Sequence, residues 1–428
     1  MIRSTLLAGL VTAVLAIPPA RGSDHADPAD PFRISTNDDR GLAGLFVFPV
    51  KGEAPVENPR DGDALVFIVT ANRALVKPPP YDGLDAFTFK IFLDLQRAVA
   101  VQYPADRNAP ATETERATAR YGGVVQNPEL LGPNVTITMR LHNALEGFGD
   151  LNFLEKSAMI DRGEGPKPLA VSKWGAGVRD DPFVFPMFFG TNVIAMAVKV
   201  PYQSLGVADT FCAWATMERR GEQVDHVGRS QRTQLPRFDF LNTLPPSEHV
   251  AAIRKMRDDP NLRQDVSKFL IPTEFNFRAF DVQPDVMVFT KAHAAGYPNG
   301  RRLPDDIAKL ACEQGDCQLF ELSFVEPRNP DSKAHARYVG GRPTANDMPF
   351  LDKWPYLAEP WPSHDPAPVS FLTTKNWVYL GLIALAGLVV FLLPWLLYFR
   401  ELRRLRRLRA ATPPRPAVPT TPPGGIQL

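Results

Sequence analysis

The sequence predicts a mainly β protein: an antiparallel β-sandwich-like ectodomain with small helical insertions, followed by one C-terminal transmembrane helix. Three observations carry this. Most of the hydrophobic periodicity has period two, the signature of strands. The 428 residues include 43 prolines, about twice the ordinary ~5%, which favours turns and edges over a helical bundle. One long apolar run stands apart near the C-terminus.

The strands are legible one by one. In "FTFKIFLD", Phe87, Phe89, Ile91 and Leu93 share a face, and in "VTITMRLH", Val135, Ile137, Met139 and Leu141 do, with Thr136, Thr138, Arg140 and His142 opposite. These patterns predict half-buried strands. "DALVFIVTA" and "NVIAMAVKV" are apolar on both faces and predict central strands of a layered structure. Helical signals are fewer and come late. Ser247 is placed to cap "EHVAAIRKM", Asp259 with Pro260 to start "NLRQDVSKFL", and "PDDIAKLA" to form a third short helix. A sandwich accommodates them as insertions.

Two terminal hydrophobic segments set the expected layout. Arg3, the apolar residues 6–17, Pro18-Pro19 and Ala20-Arg21-Gly22 read as a signal peptide over 1–22, too short in its apolar part to span a bilayer. Residues 377–399, with Trp377, Tyr379, Trp395 and Tyr398 at the ends, are long enough at helical rise to cross the hydrocarbon core and predict the transmembrane helix. "RELRRLRRLR" follows it, whereas a single Lys lies in the preceding "PWPSHDPAPVSFLTTKN". This asymmetry assigns 23–365 to an extracytoplasmic domain of one or two lobes, 366–376 to a linker and 400–428 to a basic, Pro-rich cytoplasmic tail. The expected location is the inner membrane, single-pass, with the bulk of the chain in the periplasm. Inner-membrane lipid and other envelope proteins are the expected partners.

Charge is balanced, 48 basic against 47 acidic residues, and the arginines of 400–409 leave the ectodomain slightly acidic, so nothing points to nucleic acid. Of three cysteines, Cys312 and Cys317 bracket the short "EQGD", which in an oxidising compartment predicts a disulfide. Cys212, in the apolar "TFCAWAT", has no cationic neighbour and reads as a small buried hydrophobe. No G-x-S-x-G, H-E-x-x-H, phosphate loop or C-x-x-C-H occurs, which leans away from an enzyme.

Three segments are dense in charge and turn residues: "RDDPFVF" (179–185), "EQVDHVGR" (222–229) and "PNGRRLPDD" (298–306). They permit two readings. In the first, Asp180 and Asp181 cap a turn before Pro182, Gly300 makes a tight turn, and Arg179, Arg229 and Arg301 bridge carboxylates to hold long loops. In the second, clustered loops bring Asp180, Asp181, Asp225, Asp305 and Asp306 together as a hard-oxygen site for Ca²⁺ or a sugar-like ligand. His226 stands between Asp225 and Arg229 in the middle segment. The opening "ARGSDHADPAD" (20–30) permits two readings as well: cleavage after Gly22 would leave Ser23-Asp24-His25, whose amine, amides and imidazole suit square-planar Cu(II) or Ni(II), or else these residues are the solvated polar start of a mature chain.

The succession "RDDPF", "NVIAMAVKVP", "WAT", "QVD" with "GR", and "YPNGRRLPDD" resembles the DUF4331 family of secreted bacterial proteins, from about His25 to Asp306. Members open with a His-acid-Pro segment, matched by His25-Ala26-Asp27-Pro28. His226 replaces the family's Arg after the Asp, and Ser230 its Pro after the Gly-Arg. The resemblance implies a fold and a compartment and assigns no chemistry. It does imply that His25 and Asp27 are pinned against the internal loops, where His25 completes a candidate metal set with Asp180, Asp181 and Asp225 or pairs with these acids as a cation; calcium is the metal of the clustered-aspartate reading and copper that of the amino-terminal one. The expected function is a membrane-anchored extracytoplasmic binding or scaffold protein of the DUF4331 type. The alternative is a metal- or haem-carrying redox accessory, with Met139, Met187 and Met196 available to a haem.

Overall fold

A computed structural model describes residues 41–104, 112–185, 188–206, 208–230, 232, 238–258, 281–313, 344–363 and 374–411. The chain divides into two compact units, residues 1–367 and 368–428. The strands of the first unit are β1 (Leu42–Lys51), β2 (Ala54–Pro55), β3 (Ala64–Leu75), β4 (Phe87–Asp94), β5 (Val99–Ala100), β6 (Val124–Val125), β7 (Val135–Leu141) and β8 (Phe148–Gly149). They continue with β9 (Phe153–Asp161), β10 (Pro166–Pro168), β11 (Lys173–Asp180), β12 (Asn192–Pro201), β13 (Thr210–Arg219), β14 (Glu222–Val227) and β15 (Met287–Thr290). Helices cover Glu113–Tyr121, Tyr202–Leu205, Pro246–Asp258 and Ile307–Glu313. The unit is mainly β with a few helices.

The first sheet has the order β2-β1-β3-β12-β11-β8, and the second β10-β9-β7-β4-β13-β14 with β15 also paired to β13. All these pairings are antiparallel. One apolar core joins the two sheets. Leu45, Val47, Phe67, Val69, Met196 and Val198 come from the first and Phe89, Ile91, Ile137, Met139, Ala213 and Ala215 from the second, an arrangement consistent with a sandwich. Each fully buried large side chain contributes about 1.5–3 kcal/mol relative to exposure.

The period-two patterns settle which strands are covered once and which twice. β4 and β7 bury alternate residues in this core and leave the intervening ones half-buried. β1, β3 and β12 are buried on both faces. Their other set, Phe46, Phe48, Val66, Ile68, Ala195 and Ala197, meets Leu303, Tyr356 and Leu357 in a second cluster. The sequence 344–361 thus acts as a strap over the outer face of the first sheet. β13 and β14 form a tight hairpin through Arg220 (φ 55°) and Gly221 (φ 83°), with Arg219 paired to Glu222, the left-handed pair that a two-residue turn needs.

Four local expectations meet the structure as follows. The helix over "EHVAAIRKM" begins at Pro246, so Ser247 lies in its first turn rather than capping it. "NLRQDVSKFL" and Cys317, the expected partner of Cys312, lie outside the described residues. Cys212 is completely buried in β13 and free.

The transmembrane helix expected at 377–399 is corrected. Among the described residues no helix is long and apolar enough to cross a membrane. In the second unit the apolar stretch is not an element of its own. It belongs to one helix, Thr374–Ala411, which holds Pro394 inside it and runs without a break into the Arg-rich residues 400–409.

Candidate functional site

The charged segments gather where β1 begins and β11 and β14 end, but their aspartates are engaged separately. Asp225, at the buried end of β14, accepts from Leu42 N at 2.7 Å and from its neighbour His226 N at 2.8 Å, tying β14 to β1. Asp181 pairs with Arg73 of β3, Nε to Oδ2 2.7 Å, and accepts from Phe183 N at 3.0 Å in an Asx-type turn. The Arg73 guanidinium lies 5.0 Å from the Phe183 ring centre and 4.6 Å from that of Phe188. Burial raises the Asp181 pKa, with Arg73 opposing.

Asp305 accepts from the amides of Tyr297 at 2.9 Å and Arg302 at 2.8 Å, and Asp306 from Lys309 N at 3.2 Å at the start of the helix Ile307–Glu313. Arg301 stacks 4.0 Å from the Phe46 ring centre and exchanges backbone hydrogen bonds of 3.0 Å with Val47. Burial lowers its pKa to about 9, with Asp305 opposing. Arg179 pairs with Glu359 of the strap, and Asp180 accepts from Asn346 of the same strap.

Asp180, Asp181 and Asp225 therefore do not assemble as metal ligands. Among the described residues no group of three or more His, Cys, Asp or Glu side chains is arranged to hold a metal ion. His25 and Asp27 lie outside the described residues, as does Met187, while Met139 and Met196 are core residues. The Asx turn at Asp181, the tight turn at Gly300 (φ 68°) and the Arg179 ion pair follow the loop-holding reading.

A different centre emerges around Arg229. His226 Nε2 lies 2.7 Å from Asp285 O and 3.3 Å from Asp285 Oδ2. His249 Nδ1 accepts from Asp285 N at 3.1 Å, and its Nε2–H donates to Leu244 O at 2.9 Å, which fixes one neutral tautomer. Burial, with the charge of His226, lowers the His249 pKa to about 3. Asp285 accepts from Gly228 N at 3.1 Å and Arg229 N at 2.8 Å. Burial opposes its ionisation, but the His226 contact and the Arg232 charge outweigh that and hold its carboxyl below the usual range. Gly228 is required for this approach, since a Cβ there would stand 2.2 Å from Asp285 O.

The Arg229 side chain is 96% buried by residue, being 4% exposed. Its Nε donates to Val286 O at 2.8 Å, its guanidinium lies 4.5 Å from the Tyr121 ring centre, and Nη1 and Nη2 have no hydrogen-bond partner among the described residues. Arg232 stands 4.7 Å from the same ring and donates through Nη2 to Asp281 O and Gln283 O at 2.6 Å. Burial and Arg232 bring the Arg229 pKa down to about 9.

Arg229 and Ser230 line a small recess with Arg120, Tyr121, Tyr297 and Gly300. This half-open recess has room, about 10 Å³, for one water-sized group. The opposite wall comes from the helix Glu113–Tyr121, begun by the Thr112/Glu115 capping box and ended at Gly122 in the left-handed conformation. Tyr297 OH donates to Arg120 O at 3.0 Å and Tyr121 OH to Asp281. Among the described residues the guanidinium groups of Arg120, Arg229 and Arg232 thus surround Tyr121, with the Asp281 carboxylate at its hydroxyl and that of Asp285 at the Arg229 amide.

Of this centre, the sequence had singled out His226 and Arg229; Arg120, Tyr121, Arg232, His249, Asp281 and Asp285 were missed. The "TETERATARYGG" pattern, with Thr112 and Glu115 three apart and Gly122 after the last turn, was the available signal for the helix that carries two of them. No family model, no curated protein and no solved structure matches the chain.

Proposed function

We propose that this is a binding protein whose recess at Arg229 takes a small anionic group. One observation carries the reading: a guanidinium buried to 4% exposure keeps Nη1 and Nη2 without hydrogen-bond partners among the described residues. A buried charge without partners costs several kcal/mol, and a guanidinium fork is matched best by a carboxylate or a comparable anion. Ser230 Oγ, also buried and without a hydrogen-bond partner among the described residues, supplies a further donor on the same wall. The space favours chloride or one end of a carboxylate, rather than a phosphate ester.

The reading keeps the binding-or-scaffold class expected from the sequence. The leader-like residues 1–22 support an extracytoplasmic site of action.

The test is thermal unfolding at constant ionic strength, comparing sodium chloride and sodium acetate with the salt of a bulky sulfonate. Chloride or acetate should raise Tm by several degrees, as ligand linkage requires, and Arg229→Met should abolish the difference. Equal Tm in all three salts would remove the proposal.

A further inference from the structure

Residues 344–361 lie over the outer face of the first sheet, with Tyr356 and Leu357 packed among Phe46, Phe48, Val66 and Ile68. The Tyr356 and Phe48 rings meet edge-on at 5.6 Å. Non-directional apolar contact does not fix the register of such a strap; polar contacts at its two ends do. At one end Trp361 N donates to Asn192 Oδ1 at 2.8 Å, Asn192 Nδ2 donates to Trp361 O at 3.0 Å, and Glu359 pairs with Arg179. At the other, Asn346 Nδ2 donates to Asp180, and Asp347 Oδ2 accepts from Gly190 N at 2.6 Å.

This second end brings two carboxyl groups into one buried polar neighbourhood, since Asn346, which binds Asp180, is followed in the chain by Asp347, which binds the Gly190 amide. Asp180 belongs to β11 and is 0% exposed; Asp347 belongs to the strap and is 3% exposed. The Oδ1 atom of each has no hydrogen-bond partner among the described residues. The groups acting on the pair are Asp181, Asn346, Trp361 and the Gly190 amide. Of the cations close by in the chain or the fold, Arg73 is engaged by Asp181 and Arg179 by Glu359. Two buried carboxylates that act on each other do not both ionise readily, and retaining one proton relieves the pair. Burial and the Asp347 charge raise Asp180 well above the ordinary value, and burial raises Asp347 to about 7.

We infer that the buried Asp180–Asp347 pair is a proton-operated latch: the strap is fastened while the pair retains a proton, and loosens when both carboxyls ionise, uncovering the outer face of the first sheet. The fastened state binds the proton more tightly than the released one. Its advantage is therefore full at acid pH and is lost as pH rises from the ordinary 3.8 through about 7.

Hydrogen–deuterium exchange of the full chain tests this, with rates corrected for the intrinsic effect of pH. Strap amides held inside the strap, Leu351 N to Tyr356 O and Tyr356 N to Lys353 O, should exchange at least tenfold faster at pH 8.5 than at pH 5. Amides of β3 and β12 should keep their protection at both. Asp347→Asn and Asp180→Asn each retain a neutral, hydrogen-bonding side chain and should abolish the pH dependence of the strap. Equal strap protection at both pH values in the wild type would overturn the latch. So would the wild-type pH dependence persisting in both variants, or loss of protection in β3 and β12 in parallel with the strap.

Discussion

Arg73 and Asp181, 108 residues apart in sequence, close on each other in the interior with Nε 2.7 Å from Oδ2 and side chains 3% and 0% exposed. Their contact joins β3 to the turn after β11, and the rings of Phe183 and Phe188 flank the guanidinium. Removing one member of such a pair leaves the other charge buried. Arg73→Ala should cost about 3–5 kcal/mol at neutral pH, read by urea unfolding. The cost should shrink in acid, where Asp181 takes up a proton, and Asp181→Asn in the Arg73→Ala background should recover part of it. A cost under about 1 kcal/mol at neutral pH would contradict a structural role for the pair.

Gly228→Ala should destabilise by about 1–3 kcal/mol or more, because its Cβ would stand 2.2 Å from Asp285 O and 2.5 Å from Asp285 C, both backbone atoms. The same change moves the Asp285 carboxylate off the Arg229 amide, so the chloride and acetate response should also be lost. Gly132→Ala is the control. A Cβ there meets nothing within 4 Å, and the expected change is within about 0.5 kcal/mol.

His249 gives acid sensitivity of a defined sign. Its pKa falls from 6.5 to about 3 on folding, so between those values the unfolded chain binds more protons. Stability is then present above 6.5 and lost as pH falls toward 3, by a few kcal/mol at most. His249→Gln should flatten the acid limb of a pH–stability curve in that window. This is global unfolding with a trend opposite to that of the strap, so the two effects separate by probe and by direction.

Cys212 should resist alkylation in the native protein at pH 8, since burial, aided by the Asp94 charge, pushes its thiol to about 12. In denaturant without reductant one thiol should react, and with reductant three. Three reactive thiols without reductant would remove the disulfide expected between Cys312 and Cys317.

What the amino-acid sequence determined by itself is local. Period-two alternation gave β4 over 87–94 with the faces as observed, and the two-faced apolar runs marked β3 and β12 as central strands, because side-chain alternation is a property of the backbone alone. Asp181 before Pro182 announced its turn for the same reason. The tertiary structure decided everything that depends on partners distant in sequence. Asp180, Asp181 and Asp225 look alike as carboxylates in turns, yet one meets the side-chain amide of Asn346, one a guanidinium and one a backbone amide. Arg229 reads like Arg179 and Arg301, but it alone of the three combines deep burial with a place on the wall of the recess. The apolar residues 377–399 read as a separate element, yet they are part of one helix that continues into the arginines. Burial and pairing are set by which strands and loops the fold brings into contact, and the charge state of a buried group follows from those contacts rather than from its neighbours along the chain.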